Sequence, residues 1–166
     1  MNIAIVGGGI VGLALGYKLS KVKGNKVHVY EKEKEVGFHQ SGRNSGVLHC
    51  GLAYKPGSLK AKLAVSGIKQ MVKYCVDYKI NHDVCGKIVV ASNEDEAKLL
   101  KNTAQRGNLN GLKGLKYLNN RELKDREPFV SSHKTLLVPE EGIVDYKGVM
   151  MSCLLYTSDA ADDSLR

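Results

Sequence analysis

At 166 residues the chain is long enough to bury a core of its own, and its 43% apolar and 25% charged content is that of a soluble globular protein. No stretch approaches the roughly eighteen unbroken apolar residues of a membrane span. The net charge of +8 comes mostly from lysines scattered singly between Lys18 and Lys147, with no basic stripe interleaved with aromatics. That pattern excludes a nucleic-acid face, while the surplus charge suits an anionic substrate.

The first elements stand close to the N-terminus. Residues 2–6, NIAIV, form an apolar run that stops at three glycines and is expected to be a buried strand. From Gly9 to about Lys21 the residues Ile10, Leu13, Ala14 and Leu19 recur at helical spacing, and KVHVYE at 26–31 is again strand-like. A β-α-β unit follows from that order. Next comes GFHQSGRNSGVLHCG, Gly37 to Gly51, too rich in glycine for a helix and without the alternation of a strand. Pro56-Gly57-Ser58 then opens a helix whose apolar stripe is expected at Leu59, Leu63, Ile68, Met71, Val72, Cys75 and Val76.

Beyond it, KIVVAS at 87–92 is a strand, and Asn93 and Glu96 stand at capping-box spacing before another helix. Residues 106–120 are expected to be mainly loop, NNRELKDREP a short helix, and TLLVPEEGIVDYKGV short strands and turns. The last fourteen residues, CLLYTSDAADDSLR, change abruptly to acidic composition. They are expected to be a non-native tail joined to a broken reading frame, so that the chain is a fragment. Four cysteines without CxxC pairing indicate neither zinc nor a disulfide framework, and the N-terminus lacks the basic region of a signal peptide. The expected compartment is cytoplasmic.

The strongest chemical signal is Gly7-x-Gly9-x-x-Gly12 between a strand and a helix, with Glu31 closing the next strand nineteen residues after Gly12. Gly7 allows the tight turn, Gly9 lets amides approach a pyrophosphate, and Gly12 permits close packing of helix on strand. The helix N-terminus then faces the phosphates, and Glu31 can accept from ribose hydroxyls while repelling a 2′-phosphate. A dinucleotide site is expected, with FAD and NAD unseparated by this unit alone.

About 25 residues of loop then precede the helix at Ser58, and long ordered loops inside compact domains are usually functional. Ser41, Asn44 and Ser45 offer neutral hydrogen bonds and Arg43 a fixed cation. At HQSGRNSGVLHCGLAYKPGSLKAKLAVSG the chain resembles the L-2-hydroxyglutarate oxidase/dehydrogenase family, within the D-amino-acid-oxidase-like FAD oxidoreductases. The resemblance continues through CGKIVVASNEDE, ELKDREPFV and VPEEGIVDYKGV, covering about residues 1–150.

The resemblance implies an α/β fold: a Rossmann-like FAD-binding β-α-β unit followed by the beginning of an α+β substrate domain, truncated. It divides the chain into residues 1–80 of the FAD-binding domain, 81–152 of the substrate domain and the tail 153–166. Gly7, Gly9, Gly12 and Glu31 would hold the ADP half of FAD, and Gln40, Ser41, Asn44, Ser45 and Gly46 would pass along the pyrophosphate and ribityl chain. His49 would lie near the flavin and the substrate, a 2-hydroxy dicarboxylate, as the base of its oxidation. Arg43 either meets a substrate carboxylate or anchors the loop or a phosphate. Tyr54 either lines the pocket or packs against it. The electron acceptor, oxygen or a quinone, is left open by the sequence, as are membrane association and oligomeric state.

Overall fold

A computed structural model of the chain describes residues 1–162. In chain order the elements are β1 (Asn2–Val6), α1 (Ile10–Ser20), β2 (Lys26–Tyr30), a 3-10 turn at Gln40–Gly42, β3 (Val47–Leu48), α2 (Leu59–Asp77), β4 (His82–Asp83) and β5 (Lys87–Ala91). They continue with α3 (Glu94–Leu109), β6 (Lys116–Leu118), α4 (Asn120–Arg126), β7 (Lys134–Val138), β8 (Gly142–Val144) and α5 (Tyr146–Asp162). Two compact units result. The first comprises Met1–Gly46, Cys75–Asn81 and the chain from Asp145; the second comprises Val47–Tyr74 and His82–Val144. The units therefore alternate along the chain, where the sequence suggested divisions in series after residues 80 and 152.

In the first unit β1 and β2 pair in parallel, Asn2 opposite Lys26 through Val6 opposite Tyr30, with α1 as the connection. Gly16 brings α1 close to the sheet, since a Cβ there would lie 3.3 Å from the Val29 side chain. Ile5, Leu13 and Tyr17 are buried, and α5 packs on α1 with Val149, Met150 and Cys153 also buried. The expectation of a fully buried first strand is corrected: Ile5 is covered, but Ala4 and Val6 are exposed, Val6 at 91%. Parallel sheets normally carry helices on both faces. Here the described sheet has two strands.

The second unit contains two three-stranded antiparallel sheets, ordered β3-β8-β4 and β5-β7-β6. Its core gathers Leu52, Ala91, Leu100, Leu112, Leu136 and Val138, with Val65 and Ile68 of α2 packed against it. The stripe of α2 differs from expectation. Ala61, Ala64, Val65, Ile68, Met71, Val72 and Cys75 turn inward at three- and four-residue spacing, whereas Leu59, Leu63 and Val76 are exposed. Leu59 and Leu63 lie on the side of α2 opposite Ala61 and Ala64, whereas Val76 stands at the edge of the inward face near the helix end.

Asn93 caps α3, its side chain accepting from the Glu96 N–H at 3.0 Å, but the return bond of the expected capping box is displaced by one residue: a Glu96 carboxylate oxygen accepts from the Ser92 N–H at 2.7 Å. The helix then runs on to Leu109, overturning the loop expected from residue 106. Gly107 is helical because packing demands a small residue, its Cβ position lying 2.9 Å from Leu52 and 2.8 Å from Leu115. Similarly α5 starts at Tyr146, where turns were expected, after Asp145 accepts from the Gly148 N–H at 3.0 Å. The sequence suggested a non-native tail from residue 153; its first ten residues continue α5, and residues 163–166 lie outside the described part. No helix among the described residues is long and apolar enough to cross a membrane.

Two glycines should respond in opposite directions to alanine. At Gly142 a Cβ would stand 2.1 Å from the Asp83 carbonyl oxygen and 2.8 Å from the Val84 Cα, backbone atoms that cannot swing aside. Gly142→Ala is expected to cost about 1–3 kcal/mol or more through overpacking. Gly67, inside α2 with nothing within 4 Å of the same position, should gain roughly 0.5–1 kcal/mol on becoming alanine. Chemical denaturation of the two variants beside the parent measures both signs.

Candidate functional site

The turn from β1 into α1 is built by absence of side chains. The Gly7 N–H donates to the Tyr30 carbonyl at 2.7 Å, tying the turn to the end of β2, and Gly7 itself has a φ of +107°. A Cβ on Gly12 would lie 2.0 Å from the Gly7 carbonyl oxygen, so the first turn of α1 can pass the loop only with glycine there. Gly9 is the N-cap of α1 and has no side chain to fold back over the helix end. Of the three positions singled out in the sequence, Gly7 makes the tight turn and Gly12 the close packing of helix on strand.

Glu31 lies at the end of β2 and faces this turn. One carboxylate oxygen accepts from the Gly8 N–H at 2.7 Å, the other from the Glu33 N–H at 3.0 Å. These bonds, Glu33 first and Gly8 second, hold its carboxyl below the ordinary glutamate range. A carboxylate has about four acceptor sites, so two stay available to ribose hydroxyls. The Ser41 hydroxyl accepts from the Ile10 N–H at 3.0 Å and rests over Gly9. Its own proton is thereby left to donate outward. Between these groups opens a cleft of about 430 Å³, lined by Gly7, Gly9, Tyr30, Glu31, Gln40 and Ser41 among others.

The rest of the glycine-rich loop divides its labour. Asn44 donates to the Gln40 and Ser41 carbonyls at 3.1 and 2.9 Å, and its carbonyl oxygen accepts from the Gly46 N–H at 2.8 Å. Its side chain is spent on fastening the loop's own backbone. Gly46 turns with a φ of +71°, and Ser45 is exposed. Arg43 is exposed too, with its guanidinium carbon 4.8 Å from the Phe38 ring centroid.

In the second unit β3 is paired with β8, Leu48 opposite Gly142, so the next residues outward are His49 and Glu141. His49 is 58% exposed at its side chain and places Nδ1 3.8 Å from Glu141 Oε1. Glu141 is buried, at 2% of its side chain. The same Oε1 takes the Cys50 N–H at 3.4 Å and lies 3.4 Å from the Cys50 thiol, while Lys87 is ion-paired with Oε2. Burial first, then the Glu141 charge, pushes the Cys50 thiol up to about 12, which removes it as a nucleophile. Tyr54 is half-buried, its ring under the Lys60 ammonium at 4.4 Å and its carbonyl bonded by Asn110 at 3.0 Å. Glu141 was missed in the sequence, although the string VPEEGIVDY contains it. A glutamate immediately before the glycine that opens β8 was the available signal.

A parallel β-α-β unit with a side-chain-free turn, an acid at the end of the second strand and a cleft between them defines a dinucleotide-binding α/β protein. The chain belongs to the FAD dependent oxidoreductase family, whose model it matches over residues 2–157. It is 47% identical over 147 residues to the L-2-hydroxyglutarate dehydrogenase of Indibacter alkaliphilus, covering 88% of this chain and 37% of that protein. It is 46% identical to the mitochondrial L-2-hydroxyglutarate dehydrogenase of Dictyostelium discoideum, covering 91% and 34%. Among solved structures, the FAD-bound, dithionite-reduced L-α-glycerophosphate oxidase of Mycoplasma pneumoniae superposes with a TM-score of 0.84 at 28% identity, over 96% of this chain and 42% of that one. The chain thus spans about a third of the length of the curated relatives it matches.

The Glu31 bonds carry a pH signature. Because the folded-state value is lowered, their contribution is complete above the ordinary value of 4.5 and is lost as pH falls through the lowered one. The Gly8 amide resonance should therefore shift below pH 4.5 with a midpoint under that value, and Glu31→Gln should abolish the transition. A Gly8 amide that titrates with an ordinary glutamate midpoint would contradict the bond.

Proposed function

We propose that the complete protein oxidises L-2-hydroxyglutarate, or a close 2-hydroxy dicarboxylate, to the 2-oxo acid with FAD as cofactor. The observation that carries this reading is the cleft between Gly7, Gly9, Glu31 and Ser41, together with 46–47% identity to L-2-hydroxyglutarate dehydrogenases over 88–91% of the chain. The cradle fits the ADP half of FAD: Gly7 and Gly9 bring no side chain to its wall, and Glu31 and Ser41 retain hydrogen-bonding capacity towards it. When bound, the flavin supplies the two-electron acceptor for the hydride leaving the substrate Cα.

The chain's own residues supply orientation and proton handling. Gly7, Gly9, Gly12 and the N-terminus of α1 hold the diphosphate, Glu31 takes the adjacent ribose, and Gln40, Ser41 and Gly46 border the loop beyond them. His49 removes the hydroxyl proton through Nε2, a task an imidazole can perform as general base. Strand alternation between the buried Leu48 and Cys50 turns its imidazole outward, where a substrate could reach it. Arg43 rests its guanidinium carbon 4.8 Å from the Phe38 ring centroid, and its N–H groups would meet a substrate carboxylate. Tyr54 borders the substrate side. Oxygen or a quinone completes the cycle as final acceptor. A reducing compartment, cytoplasm or mitochondrial matrix, suits the free cysteines Cys50, Cys75, Cys85 and Cys153.

The test is spectroscopic. The complete protein carrying residues 1–150 should purify yellow and its visible absorption should bleach anaerobically with L-2-hydroxyglutarate, but not with the D-enantiomer, amino acids or glycerol 3-phosphate. A colourless protein, or bleaching by one of those others instead, overturns the assignment. His49→Ala should slow the bleaching by roughly 10²- to 10⁴-fold, the range of general-base catalysis, while FAD stays bound.

A further inference from the structure

We infer that Glu141 is a positioning residue for His49, fixing the imidazole as its Nδ1–H tautomer and so leaving the Nε2 lone pair as the base. This rests on the role given to His49 above. The carboxylate is almost completely buried, and a buried charge is costly unless its lone pairs are used. Lys87 is ion-paired with Oε2, which accepts no hydrogen bond. Oε1 has only the long contacts from the Cys50 N–H and thiol, both 3.4 Å, and it is this oxygen that faces His49 Nδ1 at 3.8 Å.

The backbone fixes where that oxygen points. The Glu141 carbonyl accepts from the Gly86 N–H at 2.8 Å, and its own N–H reaches the Val138 carbonyl at 3.5 Å. The adjoining Gly142 is wedged against the Asp83 carbonyl. On the facing strand, pairing of Leu48 with Gly142 brings His49 opposite Glu141. The carboxylate therefore cannot follow a moving imidazole, whereas the exposed imidazole can close the last fraction of an ångström onto the carboxylate. An acceptor aimed at one ring nitrogen determines which nitrogen carries the proton. The bare Cys50 thiol, held protonated, does not compete for that role.

Nitrogen-15 labelling of the histidines in the 166-residue chain reads the tautomer directly. Above the titration of the ring, His49 should show Nδ1–H, against the Nε2–H form favoured by an unconstrained side chain. Nε2–H, or an even mixture, in the unaltered chain would overturn the inference without any substitution. Glu141→Met should release His49 to the ordinary form, and Glu141→Gln, whose carbonyl can still accept, should keep part of the bias. Lys87→Met removes the other partner of the carboxylate and should leave the tautomer unchanged. Loss of the bias in Lys87→Met to the same extent as in Glu141→Met would mean that the carboxylate only anchors the β7–β8 turn, and would overturn the inference.

In the complete protein Glu141→Met should slow anaerobic flavin reduction about 10- to 100-fold, as loss of a group that orients a histidine does. Added to His49→Ala it should slow it no further. Unchanged reduction in His49→Ala would remove the histidine from the proposed reaction. The tautomer measurement then stands as a separate test of the pair.

Discussion

Contact between the Gly12 Cα and the Gly7 carbonyl is the constraint on which the nucleotide end of this chain depends. With the position of a Cβ only 2.0 Å from that oxygen, any other residue would push α1 off β1 and open the turn. Holding α1 close has two consequences. It aims the free N–H groups of the helix start at the cleft, where an anion is favoured, and it brings Gly8 within 2.7 Å of Glu31 at the end of the neighbouring strand. One missing methyl group thus sets both the start of α1 and its link to the end of β2.

The loop that follows is held by the same economy of contacts. Ser41 reaches back across the sequence to the first amide of α1, and Asn44 ties the two carbonyls beside Ser41 to the Gly46 turn. The loop runs from the first compact unit into the second, changing over after Gly46, and within two residues it has become β3. It is therefore a connection with a defined path at both ends. Polar residues that look interchangeable in the sequence take distinct parts: Ser41 borders the cleft, whereas Asn44 is consumed in holding the loop.

Legibility in the sequence followed the range of the interactions. The β-α-β unit, its glycines, Glu31 and the cap at Asn93 were legible, because each is set by groups a few residues apart or by a fixed spacing, whereas the cap at Asn119 was passed over in a stretch read only as a short helix. What was not legible depended on distant partners. The helical Gly107 makes sense only against Leu52 and Leu115, and a glycine followed by two asparagine-containing turns otherwise signals a loop. The exposed Leu59 and Leu63 conform to a helical apolar pattern, and only the packing of Val65 and Ile68 reveals which side of α2 the core selects. Glu141 was hidden for the same reason, since it meets His49 through a strand pairing ninety-two residues apart in the chain.

That pairing also explains how an acidic residue is tolerated in so dry a position. A lone carboxylate there would be expected to take up a proton or to distort the turn, since desolvation disfavours the charged form. Lys87 supplies a neighbouring positive charge from the first residue of β5 while remaining about one third exposed, so the pair has one wet end and one dry end. The ammonium thus stays partly hydrated, which lowers the cost relative to burying both ions. The dry end is the one turned towards His49 and Cys50. An oxygen with little water around it acts strongly on a neighbouring N–H, because the local dielectric is low. The arrangement favours a fixed orientation of the imidazole over the greatest stability of the turn, a preference expected where a side chain must meet a substrate in one geometry.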